Sequence, residues 1–141
     1  MEAIVNAKNL RISTKKSIEV CNFIRNKNVE KAKTILNEVI QMKKPVPYKR
    51  FLADTPHRRG DIAAGRFPIK TCKEILSVLE SGEANARNKG LGTNLIITHI
   101  SANKGPKQQH HGRQARTRMK NTHITLILKE ISKGKKEIKK W

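Results

Sequence analysis

His110 and His111 stand side by side, and His57, His99 and His123 complete the set of imidazoles. None is spaced with Cys21 or Cys72 as zinc ligands are, so we expect no metal. The two cysteines lie far apart in sequence, on helix-period stripes, and read as small core residues rather than a disulfide. Nothing beyond the residue types supports a Cys–His nucleophile. There is no P-loop, no GxGxxG and no paired-carboxylate pattern. The 11 Asp and Glu residues are scattered singly, poor material for a two-metal nuclease centre. We expect neither an enzyme nor a cofactor.

The chemistry this chain is rich in is cation against phosphate. Its 31 Lys and Arg outweigh the acids to give +20, where a small soluble domain usually carries ~2–8. Such an excess repels itself and opposes compaction. A permanent polyanionic partner resolves this, nucleic acid first and an anionic membrane surface second. No apolar run approaches the ~18–20 residues of a spanning helix, so we expect no membrane. The start Met1-Glu2-Ala3 lacks a signal pattern, and an intracellular protein is expected.

The charge is concentrated in three runs. Between Ala84 and Lys129 there is no acid, against Arg87, Lys89, Lys104, Lys107, Arg113, Arg116, Arg118, Lys120 and Lys129. From Lys43 to Lys73 only Asp54 and Asp61 oppose the bases, and the tail adds Lys133, Lys135, Lys136, Lys139 and Lys140. By contrast, Val29 to Ile40 balances two acids with two bases, as an ordinary solvated helix does. One charge run usually means solvation; three of them point to nucleic acid.

The elements that must position these groups follow from period and punctuation. Ile4, Val5 and Leu10 suggest a short edge strand. Ser13 suits the N-cap of a helix running to about Arg25, with Ile18, Cys21 and Ile24 on one stripe. Asn28 suits the cap of a second helix, with Glu30 at the positive end of its dipole and a stripe of Ala32, Ile35, Leu36, Val39 and Ile40. Pro45 and Pro47 end it. Lys44 to Arg66 is then a long basic loop, expected to have a function or to order on a partner. Pro68 fits the first turn of a third helix, with Cys72, Ile75, Leu76 and Leu79 as its stripe and Gly90 as its C-terminal cap. Gly82 within it suggests close approach of another backbone. Leu95–Ile100 and Thr122–Leu128 read as an antiparallel strand pair.

Between those strands, Ser101 to Asn121 has almost no large apolar side chain and cannot build a core. It is a flexible loop or a hairpin arm folded against something acidic. Lys104, Lys107, Arg113, Arg116, Arg118 and Lys120 suit an extended ribbon meeting phosphates on several sides. Arginine's planar fork binds phosphate in a bidentate way, and folded RNA is read largely through shape and phosphates. Lys15 and Lys16 at the first helix start, and Lys49, Arg50, Arg58, Arg59 and Arg66 in the loop, complete the expected RNA contacts. Tyr48 and Phe51 are placed to stack on bases, but aromatics are too few for a single-strand platform.

The order of segments is itself distinctive. Arg11-Ile12-Ser13 leads into Lys15-Lys16, Asn26 to Ala32 opens the second helix, and Ser81 to Leu91 reads SGEANARNKGL. The strand Leu95–Ile100, Lys104-Gly105-Pro106-Lys107, an arginine-rich arm and Thr122-His123-Ile124-Thr125 follow. To about Glu130 the chain closely resembles the large-subunit ribosomal protein family numbered twenty-two in bacteria and seventeen in eukaryotes. Pro47-Tyr48-Lys49-Arg50 and Gly65-Arg66-Phe67-Pro68 resemble its archaeal and eukaryotic branch.

The resemblance implies an α+β fold: three helices packed on a small three-stranded antiparallel sheet, with a long extended β-hairpin arm. It implies one domain over residues 1–131, including the loop 44–66 and the arm 103–121, then a basic tail at 132–141. It also implies ribosomal RNA and neighbouring large-subunit proteins as partners, in cytoplasmic ribosomes. The body would lie near the peptide exit. The arm tip, at Gln108, Gln109, His110, His111 and Gly112, would lie by the exit tunnel and within reach of the nascent peptide. The arm is several residues shorter than the family pattern, with glutamines and histidines where arginines and an aromatic are common. The rival readings are a non-ribosomal basic module of chromatin or messenger RNA, and an RNA-processing enzyme, for which no catalytic residue is visible.

Overall fold

Thr122–Glu130 forms the central strand of the sheet, and its alternate residues Ile124, Leu126 and Leu128 give it one apolar face. Ile124, Leu126 and Leu128 are each at most 1% exposed, while Ile127 and Thr125 on the other face stay half-buried. The computed structural model describes residues 1–130. Its elements are β1 (Glu2–Leu10), α1 (Thr14–Ile24), α2 (Val29–Ile40), β2 (Val46–Pro47), β3 (Gly65–Arg66), α3 (Ile69–Asn88), β4 (Leu95–Lys104) and β5 (Thr122–Glu130). β1 and β4 flank β5, both antiparallel, and β2 pairs with β3 in a separate two-stranded ladder. This is the expected α+β architecture.

Two bulges keep the sheet faces in phase. In β4 the register slips between Ile97 and His99. The extra residue turns Ile100 back to the face already used by Leu95 and Ile97, so all three are buried. The Thr98 hydroxyl donates to the Ile127 carbonyl at 3.1 Å. In β1 the slip lies between Ala7 and Leu10, where Asn9 takes a φ of 61°. Asparagine tolerates that left-handed conformation better than most residues, and its N–H donates to Nδ1 of His123 at 3.0 Å. β1 is an edge strand, as read from sequence, and begins at Glu2, two residues before Ile4.

The helices lie over one face of the sheet. α3 packs on β1 and β5, α1 on β4, and α2 on α3. In α1 the buried stripe is Ser17, Val20, Cys21 and Ile24, with Glu19 beside it; Ile18 is only half-buried. In α2 it is Val29, Ala32, Leu36 and Val39. Ser13 and Asn28 occupy the N-cap positions, but neither side chain caps its helix. The start of α1 is tied by Thr122 instead: its hydroxyl donates to the Ile12 carbonyl and meets the Thr14 hydroxyl, both at 2.9 Å.

α3 begins at Ile69, so Pro68 is its N-cap rather than part of its first turn. Its end is a Schellman motif. The Leu91 N–H reaches the Ala86 carbonyl and Gly90 N–H the Arg87 carbonyl, with Gly90 at φ +70°. Gly82 is approached by side chains of the sheet, not by another backbone as its position suggested.

Candidate nucleic-acid interface

Residues 44–66, read from sequence as a long loop that has a function or orders on a partner, are ordered against the body of their own chain. Val46 pairs with Arg66 and Pro47 with Gly65. Beyond the ladder, the Tyr48 N–H donates to Ala64, Arg58 N–H to Ala63 and Gly65 N–H to Pro56. Val46, Tyr48 and Ala64 supply a small apolar footing, all buried. Tyr48 therefore does not offer its ring to bases. Burial pushes its phenol up to about 12, and its hydroxyl has no partner among the described residues.

The strongest tie comes from α1. Glu19 is 1% exposed. One oxygen, Oε1, accepts the backbone N–H groups of Arg50 and Phe51, both at 2.8 Å, and Oε2 accepts that of Lys49 at 3.1 Å. A carboxylate this deep is tolerable only when its oxygens are satisfied, and three converging amides meet that need. Sequence reasoning missed this role, because one glutamate on a helix gives no sign of what packs above it.

With the backbone fixed, the side chains turn outward. Lys49 and Arg50 are exposed. Phe51 is half-buried, with Nζ of Lys15 5.7 Å from the ring centroid and the Arg50 guanidinium at 5.4 Å. Lys15 and the loop, separate in sequence, thus form one surface. Arg58 and Arg66 are partly engaged within the loop: Arg58 donates to the Gly65 carbonyl and lies over Phe67, and Arg66 donates to the Asp54 carbonyl. Lys16 and Arg59 are exposed.

The arm is a hairpin continuing β4 and β5. Lys104 stands opposite Thr122, and the Gly105 N–H donates to Asn121. The ladder then opens and closes again. Gln109 bridges to Arg118, the Met119 N–H donates to Gln108, and His110 N–H to Thr117. A single 3-10 turn at Gly112–Gln114 reverses the chain. The pairing centres the turn on Arg113 and Gln114. The expected tip, Gln108 to Gly112, is therefore displaced: Gln108, Gln109 and His110 belong to the stem, while His111 and Gly112 enter the turn. A polar segment carries no apolar alternation from which this register could be read.

Arg113, Arg116, Arg118, Lys104, Lys107 and Lys120 are all exposed. Close approach of Lys104, together with the charge of Arg118, pushes the Lys107 ammonium below its ordinary range. Like charges so gathered favour an anion among them.

Ion pairing shows the same division. The ion pairs among the described residues are Lys33–Glu83, Lys44–Glu38, Arg87–Glu83 and Lys129–Glu2. None involves the thirteen cations expected to meet RNA. Three of these pairs involve α2 or α3, one of them through Lys44 at the start of the loop, while the other cations of the loop and those of the arm keep their charge. Burial also pushes the thiols of Cys21 and Cys72 up to about 12, which suits core packing and not nucleophilic work. Among the described residues no His, Cys, Asp and Glu side chains gather as a metal site, and no helix is long and apolar enough to cross a membrane.

A small α+β body that neutralises its own helices, but leaves a loop and a hairpin cationic, is the build of a protein that holds a polyanion. The chain belongs to the ribosomal protein L22p/L17e family, whose profile matches residues 5–129. It is 43% identical over 132 residues to large ribosomal subunit protein uL22 of Methanococcus aeolicus, covering 88% of this chain and 86% of the relative. The uL22 protein of Methanopyrus kandleri is 42% identical over 130 residues, covering 86% and 82%. That of Archaeoglobus fulgidus is 45% identical over 97 residues, covering 67% and 63%. These archaeal relatives agree with the branch that the loop segments resemble.

Proposed function

We propose that this chain is a structural, non-catalytic constituent of the large ribosomal subunit, bound to its RNA and beside neighbouring ribosomal proteins in the cytoplasm. The family match across residues 5–129 carries this reading. The unpaired cations give it a mechanism. Lys15, Lys16, Lys49, Arg50, Arg58, Arg59 and Arg66 hold RNA at the body, while Lys104, Lys107, Arg113, Arg116, Arg118 and Lys120 hold it along the arm. RNA that binds only the folded chain stabilises it by mass action, which offsets the self-repulsion of +20. Residues 1–131 act as one domain; residue 131 and the basic tail 132–141 lie outside the described residues.

The finer part of the proposal concerns the arm. Its length, polarity and narrow ladder suit insertion between RNA helices, with the turn at His111 to Arg116 nearest the exit tunnel and the nascent peptide. Replacing Arg113, Arg116 and Arg118 with Ala is expected to lower the salt slope of log affinity for large-subunit RNA by about 2. Incorporation into subunits falls in parallel, while the helical circular dichroism signal is kept. Unchanged incorporation rules out the arm as an anchor.

A further inference from the structure

The thirteen candidate cations are surface groups, and surface lysines and arginines ordinarily wander. One set does not. Lys15 stands one turn before Glu19 on the same face of α1, and its ammonium lies over the Phe51 ring. Glu19 holds the amides of Lys49, Arg50 and Phe51 from beneath, and Arg50 covers the same ring. One buried carboxylate therefore fixes the backbone that brings two cations onto one aromatic face.

The charge balance of this cluster is uneven. The Glu19 carboxylate is turned inward onto three amides and forms no ion pair with these cations. Among the described residues no carboxylate pairs with Lys15, Lys49 or Arg50. Two like charges held about 5.5 Å from one ring centre gain from an anion placed outside them. An inward acid and two outward bases on one ring are what a preformed phosphate seat requires.

We infer that Glu19 is a positioning residue: through the Lys49–Phe51 backbone it presents Lys15 and Arg50, gathered on the Phe51 ring, as one preorganised seat for RNA phosphate. The inference deepens the RNA-binding reading and rests on it. Glu19 itself never touches the RNA. Without it the cations remain, but the loop must be ordered at the moment of binding, which weakens the complex.

The test compares the full-length chain with Glu19→Gln by binding to purified large-subunit ribosomal RNA across a series of salt concentrations. The glutamine carbonyl can keep two amides but turns its NH2 on the third. Hydrogen exchange at one or more of Lys49, Arg50 and Phe51 is expected to quicken about 10–100-fold, the weight of a hydrogen bond to a charged group. The salt slope is expected to fall by about 1–2, reflecting loss of up to two phosphate contacts. In a Lys15→Ala, Arg50→Ala background the same change in Glu19 should have no further effect on RNA affinity.

A purely structural Glu19 gives a different pattern: melting falls, but the salt slope stays, or affinity drops equally in both backgrounds. Either result overturns the inference. Phe51→Leu leaves the carboxylate and its amides in place and guards against misfolding of the Glu19 variant. It too should lower the slope, and an unchanged slope there contradicts the seat. Should the unaltered chain bind ribosomal RNA without salt dependence, the RNA-binding reading itself fails, and that outcome is visible before any variant is made.

Discussion

Gly82 on α3 faces Leu128 on β5 so closely that a Cβ at Gly82 would stand 3.0 Å from the leucine Cδ1. Leu126 Cδ2 would be 3.1 Å away, and both leucines are fully buried. The glycine costs helix stability but lets α3 settle onto the sheet that bears the arm. Ala at this site regains about 0.5–1 kcal/mol of helix preference and meets crowding of about the same size, so little net change is expected. Gly82→Val adds β-branching and further methyls against a close-packed layer, and is expected to cost about 1–3 kcal/mol. Urea unfolding monitored by circular dichroism distinguishes the two.

The end of α3 makes a smaller demand. Gly90 has φ +70° with open space where a Cβ would be. Only the backbone resists a side chain there, so Gly90→Ala is expected to cost about 1–2 kcal/mol, and Gly90→Asn less. A larger loss for Ala would mean that its methyl meets something beyond the backbone.

Three buried acids make the protein sensitive to alkali. Burial raises Cys21 and Cys72 from 9.0, and Tyr48 from 10.0, to about 12. Above about pH 9 the unfolded chain releases these protons while the folded chain keeps them, so stability falls as pH rises. The contribution is fully present below pH 9 and lost towards pH 12. Melting temperature should decline across that window, more steeply than in a Cys21→Ala, Cys72→Ala variant. At pH 8 both thiols should resist a disulfide reagent until the chain unfolds.

How far the sequence carried this structure depended on whether a residue's role came from its own segment. The stripes of α2 and α3 were legible because burial on a helix repeats at 3.6 residues, and the alternation of Ile124, Leu126 and Leu128 announced the sheet. Gly90 could be placed because a helix end asks for a left-handed residue there. Ser13 and Asn28 were right for position and wrong for mechanism: neither side chain accepts a first-turn amide, and the start of α1 is instead tethered through Thr122 to Ile12 and Thr14. The loop misled most. Its ties run to Glu19, some thirty residues earlier, and no local pattern encodes that distance. In the arm the cations were plain to see, but their register was not, since a turn in a polar ribbon is set by backbone pairing alone.

The central claim is that this chain lives in the large ribosomal subunit. Its most direct test is sedimentation of a native lysate on a sucrose gradient after a high-salt wash, with this chain quantified in each fraction. The account predicts that it remains with the large subunit at close to one copy per particle. Recovery in the light fractions, with the subunit otherwise intact, would contradict it and favour a general basic RNA-binding module.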